Sequence, residues 1–186
     1  SLEANYVITN NKASTENAVI HLFENGFRNI AYITIDAIQS QMADRLEGYE
    51  AVVEKYNIPN YTLQIPFEET TQGNSERYIK DFMEENPSID SILFATNYLT
   101  QSGLKVIKQE YPDLINSIGI ITFDDNELFK TYSPTITAVS QPTQEMATMA
   151  MSLILDLIKK KDSSKSKQTI TLESSLIVRE SSKKRN

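Results

Sequence analysis

The 186-residue chain has no cysteine, a single histidine and only five glycines. Without cysteine, disulfide scaffolds, thiolate metal sites and cysteine nucleophiles are excluded. The glycines are scattered, so no glycine-rich phosphate loop can form, and neither a G-x-S-x-G elbow nor an H-E-x-x-H zinc motif occurs. No apolar run approaches membrane-spanning length. The first residues, Ser1-Leu-Glu-Ala-Asn5, lack the basic start and apolar core of a signal peptide. Positive charge is also scarce. A net charge of −7 makes a poor polyanion binder, because nucleic-acid affinity rests largely on neutralising phosphates. The one basic cluster, Lys183-Lys-Arg185, reads as a solvated terminus.

What the chain does have is an alternation of short apolar runs with amphipathic stretches. Ser14 or Thr15 is placed to cap a helix with Ala18, Val19, Leu22 and Phe23 inward, stopped at Gly26. Strands are expected over 30–35, 61–65, 91–95, 118–123 and 136–139. Helices are expected over 42–56, 75–85, 99–110 and 143–160. The last is the longest, with Met146, Ala147, Ala150, Ile154 and Leu157 on one stripe. Lys159–Lys167 has no hydrophobic period and reads as a loop, and Thr169–Val178 as one or two closing strands. Strands alternating with helices give an α/β fold, a doubly wound and mostly parallel sheet with helices on both faces.

In such a sheet, right-handed crossovers bring every strand's carboxyl end to one edge, where ligands bind. The residues that follow the strands are then expected to converge: Asp36, Phe67, Asn97 and Asp124. Arg45, on the first turn of the helix after Asp36, faces the same edge. Arginine, asparagine and aspartate offer planar forks that can bond adjacent hydroxyls. An aromatic ring can cover the C–H face of a sugar or stack on a purine. Each residue also has a plainer role: Asp124 or Asn97 as a helix cap, Arg45 on a surface, Phe67 in loop packing, Asp36 at a turn. An Asp124–Asp36 Mg²⁺ centre in an α/β enzyme is the remaining alternative. His21 lies mid-helix and reads as a shield of the helix–sheet seam.

At these positions the chain resembles the effector-binding region of LacI/GalR-type transcriptional regulators, which share the periplasmic-binding-protein fold. Thr9-Asn-Asn11, Ala18, His21-Leu22, Gly26 and Arg28-Asn-Ile30 resemble one family segment. Arg45-Leu-Glu-Gly48-Tyr49 is similar to its R-x-x-G-aromatic motif, and Pro87 to Asn97 to the segment ending in its ligand-side asparagine. Ile118 to Asp125, Pro134 to Pro142 and Leu176-Ile-Val-Arg179-Glu-Ser181 resemble three more, in family order. The sequence departs from the pattern at Asn10, Tyr98 and Gln101.

The resemblance implies that Arg45, Asn97 and Asp124 bind ligand, with Phe67 as a stacking ring and Gln141 as a polar contact beside the hinge. It implies a small-molecule effector, a sugar or sugar derivative before a purine, and no cofactor or catalysis. It implies a cytoplasmic homodimer whose DNA contact is made by a helix-turn-helix outside this chain. On that basis residues 1–28 are expected to be a remnant of a first lobe and 29–140 the C-terminal ligand-binding lobe. Residues 141–167 would be the crossover and a first-lobe helix, and 168–186 the returning strands and tail. An exported sugar-binding protein of a transporter or sensor is the alternative.

Overall fold

The computed structural model describes residues 4–159 and 168–183. A short strand, β1 (Tyr6–Thr9), leads into α1 (Asn11–Glu24), β2 (Ile30–Asp36) and α2 (Ser40–Tyr56). Next come β3 (Tyr61–Pro66), the one-turn α3 (Phe67–Thr71), α4 (Ser75–Glu85), β4 (Ser91–Phe94) and α5 (Asn97–Glu110). Then follow β5 (Gly119–Phe123), the short α6 (Glu127–Thr131), β6 (Thr137–Ser140) and α7 (Thr143–Lys159). Strands β7 (Thr169–Leu172) and β8 (Ser175–Ile177) follow, and a 3-10 turn (Glu180–Ser182) closes the described chain.

Six strands form one sheet in the order β3-β2-β4-β5-β6-β8, parallel except for β8 at its edge. Buried on both faces up to the exposed Asp36, β2, β4 and β5 are mostly apolar, with Thr34, Ser91 and Thr122 buried among the aliphatic residues, as suits interior parallel strands. Ile33, Ile92 and Ile121 are fully buried. Each such side chain stabilises the fold by about 1.5–3 kcal/mol. Helices α1 and α2 pack on one another and on β2, while α4 packs on α5 and α5 on β4 and β5. Strand order reverses at β2, since β3 lies on one side of it and β4 on the other. That reversal opens a crevice at the carboxyl ends of β2 and β4.

A second, two-stranded parallel sheet pairs β1 with β7, and α7 packs against β1. Outside that contact, α7 exposes Met151, Ile154, Leu155, Leu157 and Ile158. Its apolar stripe is therefore not buried here.

Several sequence expectations need correction. α1 begins at Asn11, so Ser14 and Thr15 lie inside the helix and are buried, and they do not cap it. Inside the helix the Thr15 hydroxyl is satisfied by donating back to the Asn11 carbonyl at 3.0 Å. α1 also belongs with the main body, not with another lobe: Ala18, Val19 and Leu22 share the core of the six-stranded sheet. Gly26 does end the helix with a positive φ of 93°. Of the loop expected over 159–167, Lys159 is the last residue of α7, and 160–167 lie outside the described residues, as do Lys184 and Arg185.

Candidate functional site

The parallel register carries the strand ends to one edge. Asp36 closes β2, opposite Pro66 at the end of β3, and Phe67 follows Pro66. Phe94 of β4 stands between Ile33 and Thr122, which aligns Asn97 with the exits of β2 and β5. Phe123 pairs with Val139, so Asp124 and Gln141 leave their strands side by side. Along the rim the order is Phe67, Asp36, Asn97, Asp124, Gln141.

Arg45 lies under this rim. α2 begins at Ser40, two residues earlier than its apolar period indicates, so Arg45 is on the second turn and not the first. The residue is 3 % exposed, which rules out a surface arginine. Its Nε donates to Asn11 Oδ1 at 2.8 Å and its Nη1 to the Ala95 carbonyl at 2.6 Å. The guanidinium carbon stacks 3.8 Å from the centre of the Phe123 ring. Burial lowers the Arg45 pKa from its ordinary value, and the negative charge of Asp124 opposes that shift. A buried cation needs such partners, because unpaired it would cost several kcal/mol, on the order of the desolvation penalty for an ion.

Asp124 sits directly after β5 with a positive φ of 68°, a left-handed conformation that aspartate tolerates better than most residues. Its backbone N–H donates to the Val139 carbonyl at 3.0 Å. Its Oδ1 accepts from Gln141 Nε2, and Gln141 Oε1 accepts from Thr9 Oγ1 at 3.0 Å. Asp124 does not cap α6. Asn126 does, accepting from the Phe129 N–H. Asn97 is not a cap either: Thr96 caps α5, and Asn97 is the first helical residue, half-buried at the rim.

The structure thus joins Arg45, Asp124 and Gln141 through shared surroundings and sets Asn97 two residues beyond the carbonyl that holds Arg45. Asp36 and Phe67 stand exposed on the outer part of the rim, away from that polar group. Asp125 points elsewhere, to Arg179. Among the described residues no three His, Cys, Asp or Glu side chains gather as metal ligands. Sequence reasoning missed Asn11 and Thr9, whose side chains complete the Arg45 and Gln141 contacts. The available signal is the Thr9-Asn-Asn11 run itself. The Phe123 ring under Arg45 was likewise not foreseen. It is the residue before Asp124 and carries no sign in the sequence beyond strand apolarity.

Residues 19–182 match a family model described as a periplasmic binding protein-like domain. The ribose operon repressor of Halalkalibacterium halodurans is 26% identical over 177 residues, covering 95% of this chain and 52% of that protein. A LacI family transcriptional regulator from Enterococcus faecium with bound ribose superposes with a TM-score of 0.81 at 18% identity, covering all of this chain and 68% of that one. A transcriptional regulator CelR–cellobiose complex gives 0.80 at 21% identity, over 96% of this chain and 54% of that one. The chain spans about half the length of the curated relatives it matches. No helix among the described residues is long and apolar enough to cross a membrane.

Proposed function

This chain belongs to the periplasmic binding protein-like domain family, and on that premise we propose that it is the effector-sensing part of a LacI/GalR-type transcriptional regulator. The effector is a small polyhydroxylated molecule, a sugar or sugar derivative. Arg45, Asn97 and Asp124 bind it, Asp36 and Phe67 contribute from the outer rim, and Gln141 is the polar residue of the site beside the hinge. The whole protein is a cytoplasmic homodimer that contacts DNA through a helix-turn-helix elsewhere in its length. Residues 29–140 act as the C-terminal ligand-binding lobe, now joined by α1, and α7 with β1 and β7 belongs to the other lobe. Ligand held between lobes favours one of two lobe arrangements and so changes DNA affinity.

One observation carries this reading: a desolvated guanidinium and a carboxylate lie together at the carboxyl ends of β4 and β5, beside the strand-order reversal. Convergent polar groups over an apolar floor are what a small polar ligand needs. The relatives support the regulator over an exported binding protein, since the ones named above are a repressor and transcriptional regulators.

The test is a thermal-shift screen of the whole regulator against sugars, sugar phosphates and purines. A ligand at 100 times its Kd stabilises by about 2.7 kcal/mol. A sugar that raises the melting temperature of the wild type, and not of Arg45→Ala or Asp124→Ala, fits the proposal. A response retained by both variants removes the site.

A further inference from the structure

The chain crosses between its small and large sheets three times. Thr9 ends β1 at the first crossing, Gln141 follows β6 at the second, and Ser174 lies between β7 and β8 at the third. Side chains tie these crossings together. The Ser174 N–H donates to Asn10 Oδ1 at 2.9 Å, which joins the third to the first. The Thr9 hydroxyl donates to Gln141 Oε1, which joins the first to the second. Gln141 Nε2 then reaches out of the crossings to Asp124 on the rim.

The orientation of the Gln141 amide follows from its partners. Turned over, it would set a carbonyl oxygen against a carboxylate oxygen, two acceptors with no proton between them. Thr9 must then be the hydroxyl donor, and at 4 % exposure it has little water to turn to instead. Gln141 therefore reads the state of Asp124 on one end and holds the β1 crossing with the other. Asn11 also reaches the first crossing, donating to the Thr9 carbonyl at 3.2 Å while accepting from Arg45, but among the described residues Gln141 is the side chain that bonds both the Thr9 hydroxyl and Asp124.

We propose that Thr9, Gln141 and Asp124 form a latch, with Gln141 as a stand-in for the ligand. The inference rests on the reading of the rim as a ligand site and assigns its coupling to the crossings. In the ligand-free protein the Gln141 N–H occupies one oxygen of the Asp124 carboxylate. A hydroxyl donor of a bound polyol takes that oxygen and displaces the amide. Gln141 is then left with Thr9 alone, so the side-chain tie from the first two crossings to Asp124 is lost, while Asn11 Nδ2 still holds the Thr9 carbonyl and the Asp124 N–H still holds the Val139 carbonyl. The ligand thereby interacts differently with the latched and released states, the requirement for any shift between them. Thr9 acts through Gln141 and is a positioning residue.

The latch is tested without ligand by melting four forms of this chain: wild type, Thr9→Val, Asp124→Ala and the double variant. Thr9 and Asp124 share no hydrogen bond and meet only through Gln141. Each single change is expected to lower Tm by about 2–4 °C, and the double change by no more than the larger single one. In a Gln141→Leu background the same two changes should add. Additivity with Gln141 present overturns the latch. A second arm titrates D-ribose and cellobiose into the whole regulator by calorimetry. For a sugar that binds the wild type, removal of the competitor in Gln141→Leu should tighten binding about threefold or more. Unchanged or weaker binding overturns displacement. If neither sugar binds the wild type, D-ribose and cellobiose are excluded as effectors while the melting cycle still decides the latch.

Discussion

Two bonds of 2.6 and 2.9 Å join the Arg179 guanidinium to both carboxylate oxygens of Asp125. Their side chains are only 13 % and 12 % exposed, and Arg179 also donates to the Ile136 carbonyl. A fork-to-fork pair of this kind fixes geometry as well as charge. It pins the turn after β8 to the loop after β5. It also separates the two adjacent acids: Asp125 is structural, which leaves Asp124 for the rim. Arg179→Ala removes one partner of a largely buried pair and should cost about 3 kcal/mol of stability in urea unfolding. A loss under about 0.5 kcal/mol would class it with ordinary surface pairs.

Gly48 lets α2 approach α1. A Cβ there would stand 2.9 Å from Thr15 Cβ and closer still to the Lys12 carbonyl oxygen, a backbone atom that cannot swing aside. Gly48→Ala is therefore expected to destabilise by about 1–3 kcal/mol, even though alanine is the better helix former. A stabilised variant in thermal melting would show that the α1–α2 seam has slack.

His21 supplies a pH dependence. Its Nε2 lies 2.9 Å from the buried Ser182 hydroxyl, which in turn bonds Thr137 Oγ1 at 2.7 Å. Burial lowers the His21 pKa from its ordinary 6.5, against the opposing charge of Glu24. The folded state thus prefers the neutral ring. The stability this contributes is present above the unfolded value and is lost as pH falls through the lower folded value. Urea midpoints measured between roughly pH 7 and pH 5 should fall, and more steeply for the wild type than for His21→Gln. Parallel profiles would mean that another group sets the slope.

α7 leaves Ile154, Leu157 and Ile158 at 51 %, 58 % and 69 % exposure. Large apolar groups contiguous on one surface drive association. This chain is expected to self-associate with concentration in sedimentation velocity, and Ile154→Lys with Leu157→Glu should return it to monomer. A wild-type chain that stays monomeric at about 100 μM would show that this face is tolerated in water.

Arg45→Lys separates charge from shape. Lysine keeps the positive charge but cannot bond Asn11 and the Ala95 carbonyl as a planar fork or lie flat on Phe123. The substitution should destabilise this chain by about 1–3 kcal/mol and lower the whole regulator's effector affinity about tenfold or more. Equal affinity by calorimetry would reduce Arg45 to a structural role.

Much of the fold is legible in the residues. Runs such as Ile30–Ile35 and Ile118–Phe123 give themselves away as interior strands, because burial on both faces leaves no room for polar alternation. Helix starts are less legible. Asn11 and Ser40 begin helices two or more residues before the apolar period starts, since a first turn needs no core-facing residue. The misplacement of α1 in another lobe has a related cause. An apolar stripe states that a face is buried, not against which layer, and the sequence holds stripes on both α1 and α7 that the fold treats in opposite ways.

The order of elements along the chain settled that Asp36, Phe67, Asn97 and Asp124 would share one rim, because parallel strands joined by right-handed crossovers allow no other end. Which of them act together was decided only in three dimensions. Arg45 bonds residues 34 and 50 positions away, and Thr9 meets Gln141 across 132. Local periodicity extends over a few turns or strands, whereas a buried charge must find its partners wherever the folded chain brings them.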